Sequence, residues 1–341
     1  MSFRRVLVTG GAGFIGSNFV RYALQTHPEW EIVVLDKLTY AGNLENLRGL
    51  EGRIRFLRGD IADPRAVREA LQGAEAVVNF AAESHVDRSL MDPRPFVRTN
   101  VEGTLVLLSE ALRAGVQRFL QISTDEVYGD WRHTSKSAKE EDPLQPRSPY
   151  AASKAAADHL VLAYGHSHNL DVVITRGSNT YGPYQYPEKI IPLFLTNALE
   201  GKPLPVYGDG SAVRDYLHVE DHCRGIDLVL HQGERGGVYN LGARLQVSAL
   251  QVAEMILDLL GKPRNLIRFV EDRPGHDYRY SVDPTRAEAL GWTRLWSFEE
   301  GLRQTAEWYT AHPEWWRPLK RRSGFRHLER ALYTPRFAPS P

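Results

Sequence analysis

The feature that most constrains the fold of this chain is the alternation of short apolar runs with longer amphipathic segments in its first half. The runs RVLVTG, EIVVLD, RIRFLRGD, AEAVVNFAA and RFLQIST are typical of strands that are buried on both faces, and segments such as VEGTLVLLSEALRAG keep helical spacing. Strands joined by helices in this way form right-handed βαβ crossovers. The sequence therefore predicts an α/β fold with a doubly wound parallel sheet.

The composition of the sequence changes after Ser178, where predicted loops rich in Pro, Gly, Tyr and Arg become frequent. Helices are predicted near 247–260 and 298–309. We expect residues 1–178 to form the sheet domain and residues 179–330 to form a smaller, partly interleaved substrate domain. Residues 331–341, which are Pro-rich, are expected to be a tail.

Charge and cysteine content exclude several classes of protein. The chain has 341 residues, with 42 Lys and Arg against 42 Asp and Glu, so it lacks the basic field that nucleic-acid binding requires. Its one cysteine, Cys223, excludes an internal disulfide framework. No apolar run approaches the ~20 residues of a membrane span. We expect a cytoplasmic protein with no nucleic-acid or membrane partner. We also expect no metal site, and interpret the HSH run at 166–168 as exposed polar residues.

The stretch TGGAGFIG has the glycine spacing of a dinucleotide-binding turn. Gly10, Gly13 and Gly16 follow the first predicted strand and open the first helix, where the backbone can approach a pyrophosphate. Asp36 closes the second strand, where a carboxylate can accept hydrogen bonds from the adenosine ribose and repel a ribose phosphate. These residues predict a Rossmann domain that binds NAD rather than NADP. Asp60 either faces the adenine or caps a helix.

Two further motifs carry candidate catalytic residues. Tyr150 and Lys154 in YAASK lie four residues apart and share a helix face. A lysine ammonium and an oxidised nicotinamide would each lower the pKa of the tyrosine, which could then take a proton from a sugar hydroxyl. The stretch STDEVYG places two carboxylates, Asp125 and Glu126, directly after a predicted strand. Taken alone, such a pair is also common where a strand enters a loop.

Together these motifs resemble the extended short-chain dehydrogenase/reductase family. Within it the chain is similar, almost end to end, to the dTDP-glucose 4,6-dehydratases, through LDKLTYAGNLENL, AAESHVDRS, STDEVYG, SPYAASK, PYQYPEKIIPLF, LPVYGDG, VRDYLHVEDH and DRPGHD. The resemblance implies that NAD takes a hydride from C4 of the glucose ring, that water leaves across C5 and C6, and that hydride returns to C6. The expected product is dTDP-4-keto-6-deoxyglucose, an intermediate of deoxysugar biosynthesis.

The resemblance also assigns roles to residues of this chain. It implies that Asp125 is the acid, Glu126 the base and Thr124 a donor near the C4 oxygen, while Tyr150 and Lys154 handle the redox proton. Besides the glycines, Tyr150 and Lys154, the implied NAD contacts are Phe14, Ile15, Asp36, Lys37, Leu38, Thr39, Asp60, Ile61, Ala81, Ala82, Ser84 and Thr99. Besides Thr124, the implied substrate contacts are Ser84, Asn179, Lys189, Tyr207, Arg214, Arg273 and His276.

Several alternatives stay open at this point. The chain could be another NAD-dependent nucleotide-sugar dehydratase, an epimerase or a decarboxylase, or a non-catalytic NAD-binding sensor or scaffold. Thr180 stands where the family commonly has asparagine, and the segment ARLQVSAL is shorter than the family's loop, so the choice between dTDP and UDP is also open. The resemblance implies a homodimer in which helices near 104–112 and 155–163 pair across a two-fold axis.

Overall fold

A computed structural model describes residues 1–272 and 275–333 of the chain, and shows a seven-stranded sheet at its centre. The strands are β1 (Arg5–Thr9), β2 (Glu31–Asp36), β3 (Ile54–Arg58), β4 (Ala76–Asn79), β5 (Arg118–Thr124), β6 (Val172–Gly177), β7 (Asn179–Tyr181), β8 (Leu204–Tyr207), β9 (Val213–Arg214), β10 (Tyr216–His218), β11 (Val238–Leu241), β12 (Val247–Ser248) and β13 (Ile267–Val270). The large sheet has the order β11-β6-β5-β4-β1-β2-β3, and its strands pair in parallel. The predicted doubly wound fold is confirmed.

Helices cover both faces of this sheet. They are α1 (Phe14–Thr26), α2 (Pro64–Ala70), α3 (Val86–Met91), α4 (Arg94–Phe96), α5 (Thr104–Ala114), α6 (Pro149–Ser167), α7 (Ile190–Leu199), α8 (Val219–Gln232), α9 (Ala249–Leu259), α10 (Thr285–Ala289), α11 (Phe298–Ala311), α12 (Pro313–Arg321) and α13 (Ser323–Tyr333). None of the helices in the described part of the chain has the length and apolar character needed to cross a membrane.

Strand β1 shows how the sequence divides the core. Successive residues of a strand point to opposite faces, so Val6 and Val8 pack with α1 and α8, whereas Leu7 packs with α2, α5 and α6. A further apolar cluster lies outside the sheet and is built from residues of α7, α9 and α11, including Phe194 and Ile256. The later part of the chain therefore has a core of its own.

The chain crosses back into the sheet after its first half. Strand β11 and helix α8 both follow residue 178, yet β11 pairs with β6 and α8 packs against α1. Elements from the later part of the chain thus belong to the large sheet and its helical layer. The domain limits 1–178 and 179–330 stay a proposal, and residues 334–341 of the expected tail lie outside the described residues.

One predicted helix begins differently from the expectation. The segment predicted as a single helix over 101–115 starts with a wide π-helical stretch, Val97–Gly103, before α5. In this stretch the buried Asn100 donates to the Glu83 main-chain oxygen at 3.0 Å and to Ser153 Oγ at 2.8 Å. Widened turns of this kind often mark functional sites because they displace a side chain from the regular helical path.

A buried ion pair fixes α6 to the sheet. Arg176 on β6 donates from Nε to Asp158 Oδ2 on α6 at 3.0 Å, and from Nη1 to the Tyr128 hydroxyl at 2.8 Å. Arg176 and Asp158 are 3% and 0% exposed, so neither charge is compensated by water. The position of α6 therefore depends on this pair.

We predict that Asp158→Ala lowers the free energy of unfolding by about 3–5 kcal/mol, because the Arg176 charge would stay buried without its partner. Urea denaturation followed by circular dichroism measures the loss. Glu45→Ala, which removes an exposed ion pair with Arg48, is the control and should change stability by less than about 0.5 kcal/mol. Equal effects of the two substitutions would contradict the role given to Asp158.

Candidate active site

A cavity opens at the carboxyl edge of the large sheet, beside the point where the strand order reverses between β1 and β4. It collects predicted residues from widely separated parts of the sequence. The predicted residues that line it are Gly10, Gly13, Phe14, Ile15, Gly16, Asp36, Lys37, Thr39, Asp60, Ile61, Ala81, Ala82, Ser84, Thr99, Thr124, Asp125, Glu126, Tyr150, Lys154, Asn179 and Lys189. Leu38 contributes its main-chain N–H, which donates to Asp36 Oδ1 at 2.8 Å.

The glycine turn between β1 and α1 has no room for side chains. Gly10 has a φ of 66°, and a Cβ there would lie 2.6 Å from the main-chain nitrogen of Ala81. A Cβ on Gly16 would lie 2.4 Å from the Gly10 oxygen. The turn thus brings bare backbone and the positive end of α1 to the cavity wall, which suits a pyrophosphate.

Asp36 is held in place at the end of β2. Its carboxylate accepts hydrogen bonds from the N–H groups of Ala12 at 3.0 Å and Leu38 at 2.8 Å. Burial raises the pKa of Asp36, and these two hydrogen bonds oppose the rise. Each carboxylate oxygen keeps a lone pair for a further donor, so the group fits two ribose hydroxyls.

Asp60 lies on the same side of the cavity and is not a helix cap. Its carboxylate bonds Lys37 Nζ at 2.7 Å and the Ala62 N–H at 3.0 Å. The cap of α2 is Asp63, which accepts from the Arg65 N–H at 2.9 Å. Of the two interpretations of Asp60, its position favours the cofactor contact. The glycine turn, Asp36 and Asp60 together fit the adenosine diphosphate part of NAD.

We predict that Asp36→Ala raises the Kd of NAD about 5- to 150-fold, because two ribose hydrogen bonds to a charged group, ~1–3 kcal/mol, are lost. Calorimetric titration of NAD into protein stripped of cofactor measures the change. Asp63→Ala makes the same substitution outside the cavity and should leave NAD affinity at the wild-type value. Unchanged affinity in Asp36→Ala would remove Asp36 from the site.

The two adjacent carboxylates occupy different environments. They lie in a single 3₁₀ turn, Asp125–Tyr128, which Thr124 caps by accepting a hydrogen bond from the Glu126 N–H at 3.3 Å. Asp125 is 3% exposed, whereas Glu126 is only partly buried. Burial and the negative charge of Glu126 raise the pKa of Asp125 well above its usual value. Asp125 Oδ2 has no hydrogen-bond partner among the described residues.

Lys154 joins α6 to the strand that carries these carboxylates. Ser148 caps α6 by accepting from the Ala151 N–H at 3.1 Å, and Pro149 begins the helix. One turn after Tyr150, Lys154 Nζ donates to the main-chain oxygen of Ile122 on β5 at 2.6 Å. Burial lowers the pKa of Lys154 to about 8, and Asp158 opposes this shift.

The expected lowering of the Tyr150 pKa is not produced by the protein alone. Burial and the charge of Glu126 raise this pKa, and a hydrogen bond from Thr124 lowers it only in part. The charges and burial that the protein provides around Tyr150 therefore favour its neutral phenol.

The predicted substrate residues fall into two groups. The cavity is lined by Ser84, Asn179 and Lys189, and Lys189 Nζ donates to the main-chain oxygen of Ser84 at 2.7 Å. The second group lies outside the cavity wall and consists of Tyr207, Arg214 and His276; Arg273 lies outside the described residues. Arg214 Nη2 is 3.1 Å from His276 Nε2, and the rings of Tyr207 and His276 are 6.0 Å apart.

Arg214 of the second group interacts electrostatically with Asp125. Its charge lowers the pKa of Asp125 in part. Arg214 also donates to the main-chain oxygens of Val213 at 2.8 Å and Asp277 at 2.8 Å. Its guanidinium is thus fixed by main-chain oxygens and by His276 within the second group.

The sequence did not identify several residues of the cavity wall, including Glu83, Gln185, Tyr186, Glu188 and His222. Glu188 is buried and accepts from Arg88 of α3 at 2.8 and 3.1 Å. Glu188 directly precedes the predicted Lys189 in the motif PEKIIPLF, and this adjacency could have indicated Glu188 as a further site residue. His222, in the motif VEDH, bonds Thr180 Oγ1 at 2.7 Å.

Comparison with known proteins agrees with this site. The family model described as GDP-mannose 4,6 dehydratase matches residues 7–305. A dTDP-glucose 4,6-dehydratase of Streptomyces niveus is 51% identical over 323 residues, covering 93% of this chain and 96% of that protein. This chain belongs to the dTDP-glucose 4,6-dehydratase family. The low-salt glycan biosynthesis protein Agl12 of Haloferax volcanii is 52% identical, covering 91% of this chain and 99% of that protein.

Solved structures of the family superpose closely on the described fold. The dTDP-glucose 4,6-dehydratase DesIV of Streptomyces venezuelae, crystallised with NAD, has a TM-score of 0.90 at 50% identity and covers 93% of this chain and 100% of that one. The UDP-glucose 4-epimerase of Thermus thermophilus, in complex with NAD, has a TM-score of 0.84 at 34% identity, covering 90% and 99%. The predicted family of NAD-dependent dehydratases is thus confirmed, and the epimerases share its fold.

Proposed function

We propose that the chain is a dTDP-glucose 4,6-dehydratase that converts dTDP-glucose to dTDP-4-keto-6-deoxyglucose for deoxysugar biosynthesis. The observation that carries this proposal is the pair Asp125 and Glu126, in one cavity with Thr124, Tyr150 and Lys154. NAD held by the glycine turn, Asp36 and Asp60 would supply a reversible hydride acceptor for the sugar. The protein's own residues provide the proton transfers.

Tyr150 is the residue that accepts the proton released when C4 is oxidised. Its phenolate accepts the proton of the C4 hydroxyl, and the neighbouring Thr124 lowers the pKa of Tyr150 in part. Lys154 stays fixed by the Ile122 oxygen and contributes a positive charge at the base of the site. Asp36, the glycine turn and Asp60 hold the cofactor's adenosine diphosphate.

Elimination of water belongs to the two carboxylates. A ketone at C4 makes the C5 proton acidic, so the partly buried Glu126 can remove it as the base. Burial and the charge of Glu126 raise the pKa of Asp125, which favours its protonated form, and Asp125 gives its proton to the departing C6 hydroxyl. The same dipeptide thus supplies a base and an acid.

An epimerase is the runner-up function because epimerases share the fold at 34% and 29% identity. Epimerisation at C4 requires no proton removal at C5, so it has no use for the carboxylate pair. A non-catalytic sensor is disfavoured because the acid, base, tyrosine and lysine all reach the same cavity. A decarboxylase would require a sugar acid as its substrate, whereas dTDP-glucose has no carboxylate to lose.

Turnover of dTDP-glucose tests the proposal directly. We expect a 4-keto-6-deoxy product by mass spectrometry, a loss of one water from the sugar, and no net accumulation of NADH. UDP-glucose in parallel measures the nucleobase preference. A C4 epimer as the product, or stoichiometric NADH, would contradict the 4,6-dehydratase cycle.

We predict that Asp125→Asn slows elimination by roughly 10²–10⁴-fold, because the donor to the C6 oxygen is lost. In the wild type this step should slow as pH rises through the raised pKa of Asp125, since only the protonated carboxyl donates; the variant should lack that decline. Single-turnover product formation at several pH values measures both effects. Glu141→Gln, an exposed carboxylate, is the control, and an unchanged rate in Asp125→Asn would contradict the assignment.

We further propose that the enzyme is a cytoplasmic homodimer. Helix α5 exposes 39% of Leu105, and the preceding π-helical segment exposes 56% of Val97. Leu90 and Met91 of α3, which packs on α6, are 43% and 52% exposed. These apolar side chains around α5 and α6 support pairing with the same face of a second copy. The buried, unpaired Cys223 agrees with a reducing compartment.

We predict that Leu105→Arg produces a monomer, because a charge would be buried at the two-fold axis. Light scattering at micromolar concentration should give twice the chain mass of 38.6 kDa for the wild type and the single mass for the variant. Leu295→Arg, at a 62% exposed leucine elsewhere, should stay dimeric. A wild-type protein of single mass would refute the dimer.

A further inference from the structure

Two histidines and an aspartate meet at the end of α1 that is remote from the cofactor cavity. His27 caps the C-terminus of α1, while Asp227 and His231 lie one turn apart on α8. Thirteen helical residues separate His27 from the glycine turn, which is about 20 Å. None of the three residues lines the cavity. The cluster thus has no part in the chemistry proposed above.

The ligand atoms of these side chains converge. His27 Nε2 lies 2.8 Å and His231 Nδ1 3.2 Å from the same oxygen, Oδ1 of Asp227. One ligand atom from each of the three side chains lies within 4.8 Å of the others. Tetrahedral coordination at bond lengths of 2.0–2.2 Å places neighbouring ligands about 3.4 Å apart. Small side-chain adjustments would therefore place a cation between them.

The surrounding residues hold the imidazoles in position. The rings of His27, Trp30 and His231 stack on one another pairwise, with centroids 4.3 Å apart for His27 and Trp30, 4.9 Å for His27 and His231 and 5.6 Å for Trp30 and His231. Glu29 Oε1 lies 3.9 Å from His27 Nδ1, and the Tyr22 hydroxyl lies 3.3 Å from Asp227 Oδ2. A hydrogen-bond donor on a ligating carboxylate, as Tyr22 is to Asp227, is a usual support of a metal ligand, whereas the 3.9 Å separation of Glu29 from His27 is too long for a hydrogen bond.

We propose that His27, Asp227 and His231 form a binding site for zinc or a similar divalent transition metal. Two imidazole nitrogens and one carboxylate oxygen favour zinc, cobalt or nickel over magnesium or calcium, which prefer oxygen ligands. Their side chains are 18%, 12% and 18% exposed, so water can reach the remaining coordination positions. The metal replaces the proton that His231 Nδ1 directs at the Asp227 main-chain oxygen, 2.9 Å away.

The site would fasten α1 to α8. These two helices pack on one face of the sheet, and α1 carries the glycine turn at its other end. A bound metal stabilises the folded protein by mass action, because the unfolded chain does not bring the three ligands together. Its effect is on stability and leaves the reaction unchanged.

Metal titration of the untagged protein tests the proposal. A tag is avoided because it could bind metal itself and because the Met1 amine donates to the main-chain oxygen of His231 at 3.0 Å. We expect one equivalent of Zn²⁺ to bind, raising Tm, and one equivalent of Co²⁺ to give a visible absorption band that Zn²⁺ abolishes. His27→Gln and His231→Gln should each weaken binding at least ~10-fold and remove the rise in Tm.

The double substitution His166→Gln, His168→Gln removes two exposed histidines elsewhere and is the matched control, expected to bind as the wild type. If a His27 or His231 variant folds poorly by circular dichroism, the Co²⁺ spectrum of the wild type decides alone. The proposal would be overturned if the wild type showed no saturable binding at Zn²⁺ concentrations up to ~10⁻⁴ M, which corresponds to a binding free energy of about 5.5 kcal/mol. Wild-type affinity in both single variants would overturn it equally.

Discussion

The arrangement proposed for the active site depends on one buried contact, the hydrogen bond from Lys154 Nζ to the main-chain oxygen of Ile122. It joins α6 to β5, and so fixes Tyr150 relative to Asp125 and Glu126, which follow the end of that strand. The ion pair between Arg176 and Asp158 supports the same helix one turn further on. Because both contacts are buried, they hold the helix without competition from water.

From that fixed geometry, the difference between two adjacent carboxylates follows from burial. The turn after β5 directs Asp125 inward, toward Asp215 and Arg214, and leaves Glu126 partly exposed to the cavity. Burial raises the pKa of Asp215 to about 6 as well, so the region around the acid is poor in water. The two neighbouring carboxylates thus differ in burial, as the proposed acid and base roles require.

Much of this could be predicted from sequence because the decisive signals are local. A parallel strand, three glycines and an acid at the next strand end define a cofactor turn, and YAASK places two side chains on one helix face. These two features depend on neighbours within a few residues, for which sequence spacing is a sufficient guide to geometry. The roles of Asp125 and Glu126, by contrast, are implied only by the resemblance to the family.

What escaped prediction depends on contacts across the chain. The π-helical stretch at Val97–Gly103 accompanies the contact of Asn100 with Ser153, 53 residues away. The cluster of His27, Asp227 and His231 unites positions about 200 residues apart. The raised pKa of Tyr150 reflects burial and nearby charges, which no motif encodes.

The central claim, that Glu126 is the base and acts after hydride transfer, is tested most directly by rapid mixing of Glu126→Gln with dTDP-glucose. Absorbance at the NADH band is followed while mass spectrometry reads solvent deuterium at C5. The account predicts that NADH forms and persists, with no exchange at C5 and no product, whereas Tyr150→Phe forms little NADH. Exchange at C5 and product formation at the wild-type rate in Glu126→Gln would contradict it.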